Sequence, residues 1–228
     1  MISHFHKCVF VHIPKCAGTS VEVMFLDQLG LSYLERGPLV LRPNEVEKNG
    51  PPRLAHLTAR NMVRKHYISR DLLKQYYSFT VVREPIDRLR STWNYLGFKR
   101  WMSLEAFIEY VVAPALNDRD GLYWFIRPQY DYVFDIDGTR LVDDVFNLNE
   151  IEELPSVLLS KGVFKELVAI PRVNSGNSRA WFSRRLQDLR ILRLHGKAIV
   201  NGLISRPKFS AEDRIRVLYK IDYDSFSF

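Results

Sequence analysis

The segment that most constrains this chain is an apolar run that breaks into a lysine-bearing loop and then into a helix. Cys8-Val-Phe-Val-His-Ile13 is a short β-branched and aromatic stretch, the pattern of a buried strand. Pro14 to Gly18 breaks it. Thr19 or Ser20 is expected to cap a helix carrying Val21, Val23, Met24, Leu26 and Leu29, with Gly30 as its stop.

The same grammar recurs downstream. Ser78-Phe-Thr-Val-Val82 reads as a second strand, and Pro85 suits the first turn of a helix reaching about Leu96. Between the strands, residues 36–53 read as loop, and a helix is expected from Thr58 to about Tyr76. Ser103 caps a helix with Leu104, Phe107, Ile108, Val111 and Val112 at helical spacing. Asp137-Gly138 sits between strand-like runs over 132–142, a hairpin signal. A further helix is expected over Asn149 to Leu159, and a last one from Ser210 to about Asp222. Strands alternating with helices predict a single α/β domain over 1–228 with a mainly parallel sheet. Ligands of such sheets bind at the carboxyl ends of the strands, where loops 14–20 and 83–91 fall.

Both loops suit an anion. Small residues in Pro14-Lys15-Cys16-Ala17-Gly18-Thr19-Ser20 let the backbone bring its N–H groups against a ligand, and the helix start adds a positive dipole end. Lys15 adds a charge and the two hydroxyls add donors. This is not a Walker A loop, because Lys15 precedes the glycine. In Arg83-Glu-Pro-Ile-Asp-Arg-Leu-Arg-Ser91, Arg83 stands at the strand end and Ser91 about two helical turns on. Arginine recognises phosphate bidentately, and a serine hydroxyl can bond the same group from a helix face.

Taken together, strand-Pro-Lys-x-x-Gly-Thr-Ser-helix and strand-Arg-x-Pro-x-x-Arg-x-x-Ser-helix resemble the 5′- and 3′-phosphosulfate motifs of sulfotransferases that use 3′-phosphoadenosine 5′-phosphosulfate (PAPS). The resemblance is to the carbohydrate branch, which includes heparan 2-O-, chondroitin and related bacterial enzymes. It implies a P-loop NTPase-like three-layer α/β fold, transfer of a sulfuryl group to a hydroxyl, PAP as product and no metal. It further implies that Lys15, Cys16, Ala17, Gly18, Thr19 and Ser20 hold the 5′-phosphate and sulfuryl group, and that Arg83 and Ser91 hold the 3′-phosphate. Pro171-Arg-Val-Asn-Ser-Gly-Asn177 matches a polar loop of the family, which would bring Arg172 and Asn174 near the cofactor. The match departs at Val145 to Glu150, which lacks the family's arginine, and the basic stretch 179–207 has no counterpart.

Sulfuryl transfer needs alignment, a base and positive charge on the developing oxyanion. Lys15 supplies the charge to the leaving phosphate. His56, in Leu54-Ala-His-Leu-Thr58, lies between the two motifs where the 2-O-sulfotransferase-like enzymes carry their base. Histidine has an unperturbed pKa of about 6.5, right for the task. His12 ranks second because it is expected to pack within its strand, and Glu22 third. Loops 31–55 and 114–130 carry Tyr33, Arg36, Arg53, Trp124, Arg127 and Tyr130, which suit a sugar acceptor.

Composition narrows the rest. Two cysteines, Cys8 and Cys16, exclude a disulfide scaffold and offer no metal-ligand spacing. No apolar run approaches the roughly 18 residues of a membrane span, and the N-terminal residues lack a signal-peptide core. The expectation is a cytoplasmic protein, or a Golgi-lumen enzyme with its anchor outside this sequence. Net charge is +7, yet residues 172–220 hold 12 Lys and Arg against 3 Asp and Glu. This quarter could face an acidic glycan or a membrane surface. A nucleotide kinase or hydrolase would need a Walker A lysine and a Mg²⁺-binding acid, neither present in the expected form. A nucleic-acid binder would use Arg184, Arg185, Arg190 and Arg193 beside Trp181 and Phe182, but no recognised motif accompanies them. A catalytically silent PAPS-binding relative is the third alternative.

Overall fold

The computed structural model describes residues 1–119, 121–173, 181–205, 207 and 209–228, and of 181–190 the backbone alone. The chain is α/β, with one four-stranded sheet in the order β1 (Ile2–Ser3), β2 (Cys8–Val11), β3 (Tyr77–Val82), β4 (Asp144–Asn147). β1 pairs antiparallel with β2, while β2, β3 and β4 run parallel. Every residue of β2 is buried, as is β3 from Ser78 to Val82. That is why both read as continuous apolar runs rather than alternating ones. Phe10 and Phe79, partners in register, stack at 5.0 Å.

The described residues form two compact units. The first comprises Met1–Arg83 and Gln129–Val173. In it, β2 leads to helix α1 (Gly18–Gln28), which buries Val21, Met24, Phe25 and Leu26. Ala17, not Thr19 or Ser20, is the N-cap, in left-handed conformation with no side-chain capping bond. The expected hydroxyl cap is therefore displaced into the first helical turn, because the loop itself turns back through Ala17.

The single helix expected over 58–76 is two. Thr58 caps α2 (Ala59–Arg64) by accepting from the Asn61 amide, and Ser69 caps α3 (Arg70–Gln75) by accepting from the Leu72 amide. Between them His66 adopts φ 60°, and the Tyr67 amide reaches the Met62 carbonyl in a Schellman-type stop. The 132–142 hairpin is only partly formed. The chain reverses at Asp137-Gly138, but Phe134–Arg140 is an isolated bridge, and Tyr130–Val133 is a helical turn in which Tyr130 stacks on Phe134. Asn147 caps the following 3₁₀ stretch Leu148–Glu153, which passes into the helix Leu154–Ser160.

The second unit holds Glu84–Pro128 and the described residues of 174–228. Its helix α4 (Pro85–Leu96) starts on proline and stops at Gly97, whose φ of 90° is left-handed. Ser103 caps the next helix as expected, and Ile108–Val112 within it is a π-helical stretch. Phe98, Phe107, Val112, Ile126, Ile215 and Tyr219 lie in its core. The long helix Trp181–Ile204 kinks at His195. The C-terminal helix expected from Ser210 to Asp222 breaks at Tyr219 into Ala211–Leu218 and Lys220–Ser225. Tyr219 is fully buried and its hydroxyl donates to the Ile126 carbonyl at 2.6 Å, so its backbone leaves helical geometry to seat the ring. No described helix is long and apolar enough to cross a membrane.

Candidate active site

Parallel pairing of β2 with β3 puts the segments after Val11 and Val82 at the same edge of the sheet. Thr80 Oγ1 donates to the Val11 carbonyl at 2.6 Å, tying the two ends. Beyond β2 the loop carries Lys15 at φ 69° and Ala17 at φ 55°. Left-handed conformation costs a non-glycine residue roughly 1–2 kcal/mol. Two such residues one position apart turn the loop sharply ahead of α1, and turns of this kind can bring successive N–H groups towards an anion. α1 starts at Gly18, where helix geometry leaves the first amides without intrahelical acceptors. Lys15, Ala17 and Thr19 are half-buried, whereas Cys16, Gly18 and Ser20 are buried.

Gly18 has a steric requirement. A Cβ there would lie 2.0 Å from Cδ2 and Nε2 of His12. The His12 ring therefore lies directly against the start of α1, and only glycine admits it.

His12 follows the end of β2 instead of packing within it. Its Nδ1 is 2.5 Å from Glu22 Oε1, one turn into α1, and both side chains are buried. Burial pushes the Glu22 carboxyl up, but the charge and hydrogen bond of His12 outweigh it. With help from the N-terminal ammonium and Arg36, the net shift is downward. The His56 ring meets the His12 ring edge-on at 4.3 Å. His56 Nδ1 lies 3.1 Å from the His12 carbonyl, which can only accept, so Nδ1 carries the proton and Nε2 is the basic nitrogen of the neutral ring. Burial, then the nearby His12 charge, hold His56 well below the ordinary histidine range, while the bond to the His12 carbonyl acts the other way. The three residues ranked in the sequence as competing bases are thus one cluster.

Arg83 stands just past β3, half-buried. Its peptide is gripped by Gln129, whose Nε2 donates to the Arg83 carbonyl at 2.8 Å and whose Oε1 accepts from the Arg83 amide at 3.0 Å. Cys16 Sγ also donates to that oxygen, at 3.4 Å. Gln129 carries no sequence signal beyond following Pro128, and sequence reasoning missed it.

The remaining residues fall as follows. Ser20 Oγ accepts from the Val173 amide at 3.3 Å, bringing the start of the 171–177 loop to α1. Arg172 is highly exposed and pairs with the exposed Glu152. Asn174 lies outside the described residues. Ser91 is half-buried on α4 in the second unit. Arg88, the second motif arginine, is buried in that unit and donates to the Arg127 and Phe125 carbonyls at 2.9 and 3.0 Å. Of the expected acceptor residues, the Arg36 guanidinium covers the Tyr33 ring at 4.1 Å in the first unit. Arg127 covers Tyr123 at 5.1 Å in the second. Among the described residues, no three His, Cys, Asp or Glu side chains cluster as metal ligands.

The Lys15–Ala17 turn thus stands at the carboxyl end of a parallel strand, the usual place for a ligand site in such sheets, and the buried cluster of His12, Glu22 and His56 adjoins it. Residues 1–110 match the model of the sulfotransferase family, a stretch that contains the cradle, His12, Glu22, His56, Arg83 and Ser91. The matched stretch covers 110 of the 228 residues. Searches of the curated proteins and of the solved structures gave no match.

Proposed function

We propose that this chain is a PAPS-dependent sulfotransferase with a P-loop-like three-layer scaffold, acting on a hydroxyl of a carbohydrate. The observation that carries the reading is the pairing of two anion-recognition elements at one sheet edge. The left-handed Lys15–Ala17 turn follows β2, and Arg83 follows its parallel neighbour β3. The cradle residues Lys15 to Ser20 would receive the 5′-phosphate and sulfuryl end, and Arg83 the 3′-phosphate.

The donor supplies the sulfuryl group. Lys15 neutralises charge building on the leaving phosphate oxygen. His56 Nε2 takes the acceptor hydroxyl proton, and its depressed pKa keeps it unprotonated at neutral pH. The His12 carbonyl fixes the tautomer this requires.

Calorimetric titration with PAP, with and without Mg²⁺, tests the reading together with transfer of label from PAPS to hydroxylated glycans. Metal-independent binding and labelled glycan are expected. Binding of ATP that requires Mg²⁺, with no affinity for PAP, would identify a nucleotide kinase or hydrolase instead.

A further inference from the structure

We propose that Gln129 is a positioning residue that holds Arg83 for the donor's 3′-phosphate and couples it to the phosphate loop. The inference rests on the reading that Arg83 meets that phosphate. β3 ends at Val82, so the Arg83 peptide lies beyond the strand ladder, where no neighbouring strand supplies partners. Gln129 takes their place. It is fully buried, and its amide donates to the Arg83 carbonyl and accepts from the Arg83 amide, as an adjacent strand would. These two bonds fix both peptide groups from which the Arg83 side chain springs. The thiol of Cys16 donates to the same Gln129 oxygen, so one side chain, 113 residues along the chain from Cys16 and 46 from Arg83, bridges the lysine-bearing loop and the arginine.

A guanidinium recognises phosphate through a planar fork, which loses its advantage when its base is free to tilt. A displacement of about 1 Å at a positioning group is enough to cost roughly a hundredfold in a preorganised site. Gln129 therefore acts on one part of the ligand, the 3′-phosphate, rather than on nucleotide binding as a whole.

The test compares PAP with adenosine 5′-phosphate, which lacks the 3′-phosphate, by calorimetry on the unmodified chain, R83A and Q129M. Methionine keeps the length of the side chain and removes both amide bonds. The unmodified chain is expected to prefer PAP, and R83A to lose that preference. Q129M should weaken PAP about tenfold and leave adenosine 5′-phosphate within about twofold, the loss of roughly one hydrogen bond's ordering. Equal weakening of both ligands, or no change in either, overturns the proposal. An unmodified chain that does not prefer PAP overturns the reading of Arg83 and the clamp with it, whereas preference lost in R83A and kept in Q129M overturns the clamp alone. If Q129M does not fold, hydrogen exchange on the unmodified chain decides. The Arg83 amide should be protected to the level of global unfolding without ligand, and exchange by local opening overturns the proposal.

Discussion

His12 and Glu22 lie ten residues apart, on either side of the Lys15–Ala17 turn, and their side chains meet at 2.5 Å. This contact welds the end of β2 to the first helix behind the loop. Replacing the carboxylate of this buried hydrogen-bonded pair leaves His12 Nδ1 without its charged acceptor, so E22Q should cost about 3 kcal/mol at pH 7. Because the Glu22 pKa is lowered in the fold, its contribution is present above the unfolded value of 4.5 and fades as pH falls through the folded one. Denaturant titrations should show the gap between E22Q and the parent narrowing in acid. A gap of constant size down to about pH 3 would remove this account.

Substituting H56A is expected to lower kcat by about 10²–10⁴-fold, the usual reach of a general base, while PAP affinity stays within about twofold. The acid limb of the kcat profile should lie below pH 6.5, since the folded His56 pKa is depressed. The same depression means the unfolded chain binds the proton more readily, so His56 makes folding less favourable as pH drops below 6.5. An acid limb above 6.5, or turnover that survives H56A, excludes His56 as the base.

G18A places a methyl group where the His12 ring sits. The ring must move or the helix start must shift, at about 1–3 kcal/mol of overpacking. Thermal unfolding should register the loss, and PAP titration should weaken with it. A variant as stable as the parent would show that His12 does not occupy this place in solution.

K15A should reduce kcat by about 10²–10³-fold if Lys15 stabilises the leaving phosphate, a loss typical of one oxyanion-stabilising group. Steady-state label transfer from PAPS measures it, and full activity in K15A would refute the assignment.

Arg88 offers a contrast with Arg83, although both belong to one sequence motif. R88M fills the volume but withdraws the donors to the Phe125 and Arg127 carbonyls. The expected cost is about 2 kcal/mol or more, seen in denaturant unfolding. Intact stability in R88M would mean that those carbonyls find other donors.

Much of the local structure was legible. β3, α4 with its Pro85 start, and the caps at Thr58, Ser103 and Ser210 follow from strand composition, proline geometry and hydroxyl capping, all of which act within four residues. The breaks at His66 and Tyr219 were less so. Helical periodicity continues across both, and the interruption comes from a Schellman stop and from a buried ring that needs the Ile126 carbonyl. Tyr130–Val133 likewise coils where strand-forming residues predicted an arm of a hairpin.

The sequence by itself determined the α/β alternation, the strand-to-helix loop around Lys15 and the arginine that follows the second parallel strand, Arg83. Each is written in contiguous residues whose backbone preferences act locally. Only the tertiary structure decided that His12, Glu22 and His56 form one cluster, and that Gln129 grips Arg83. Those contacts join residues 10, 44 and 46 positions apart. They exist because parallel strands bring their carboxyl ends to one edge, a pairing that side-chain periodicity along the chain does not encode.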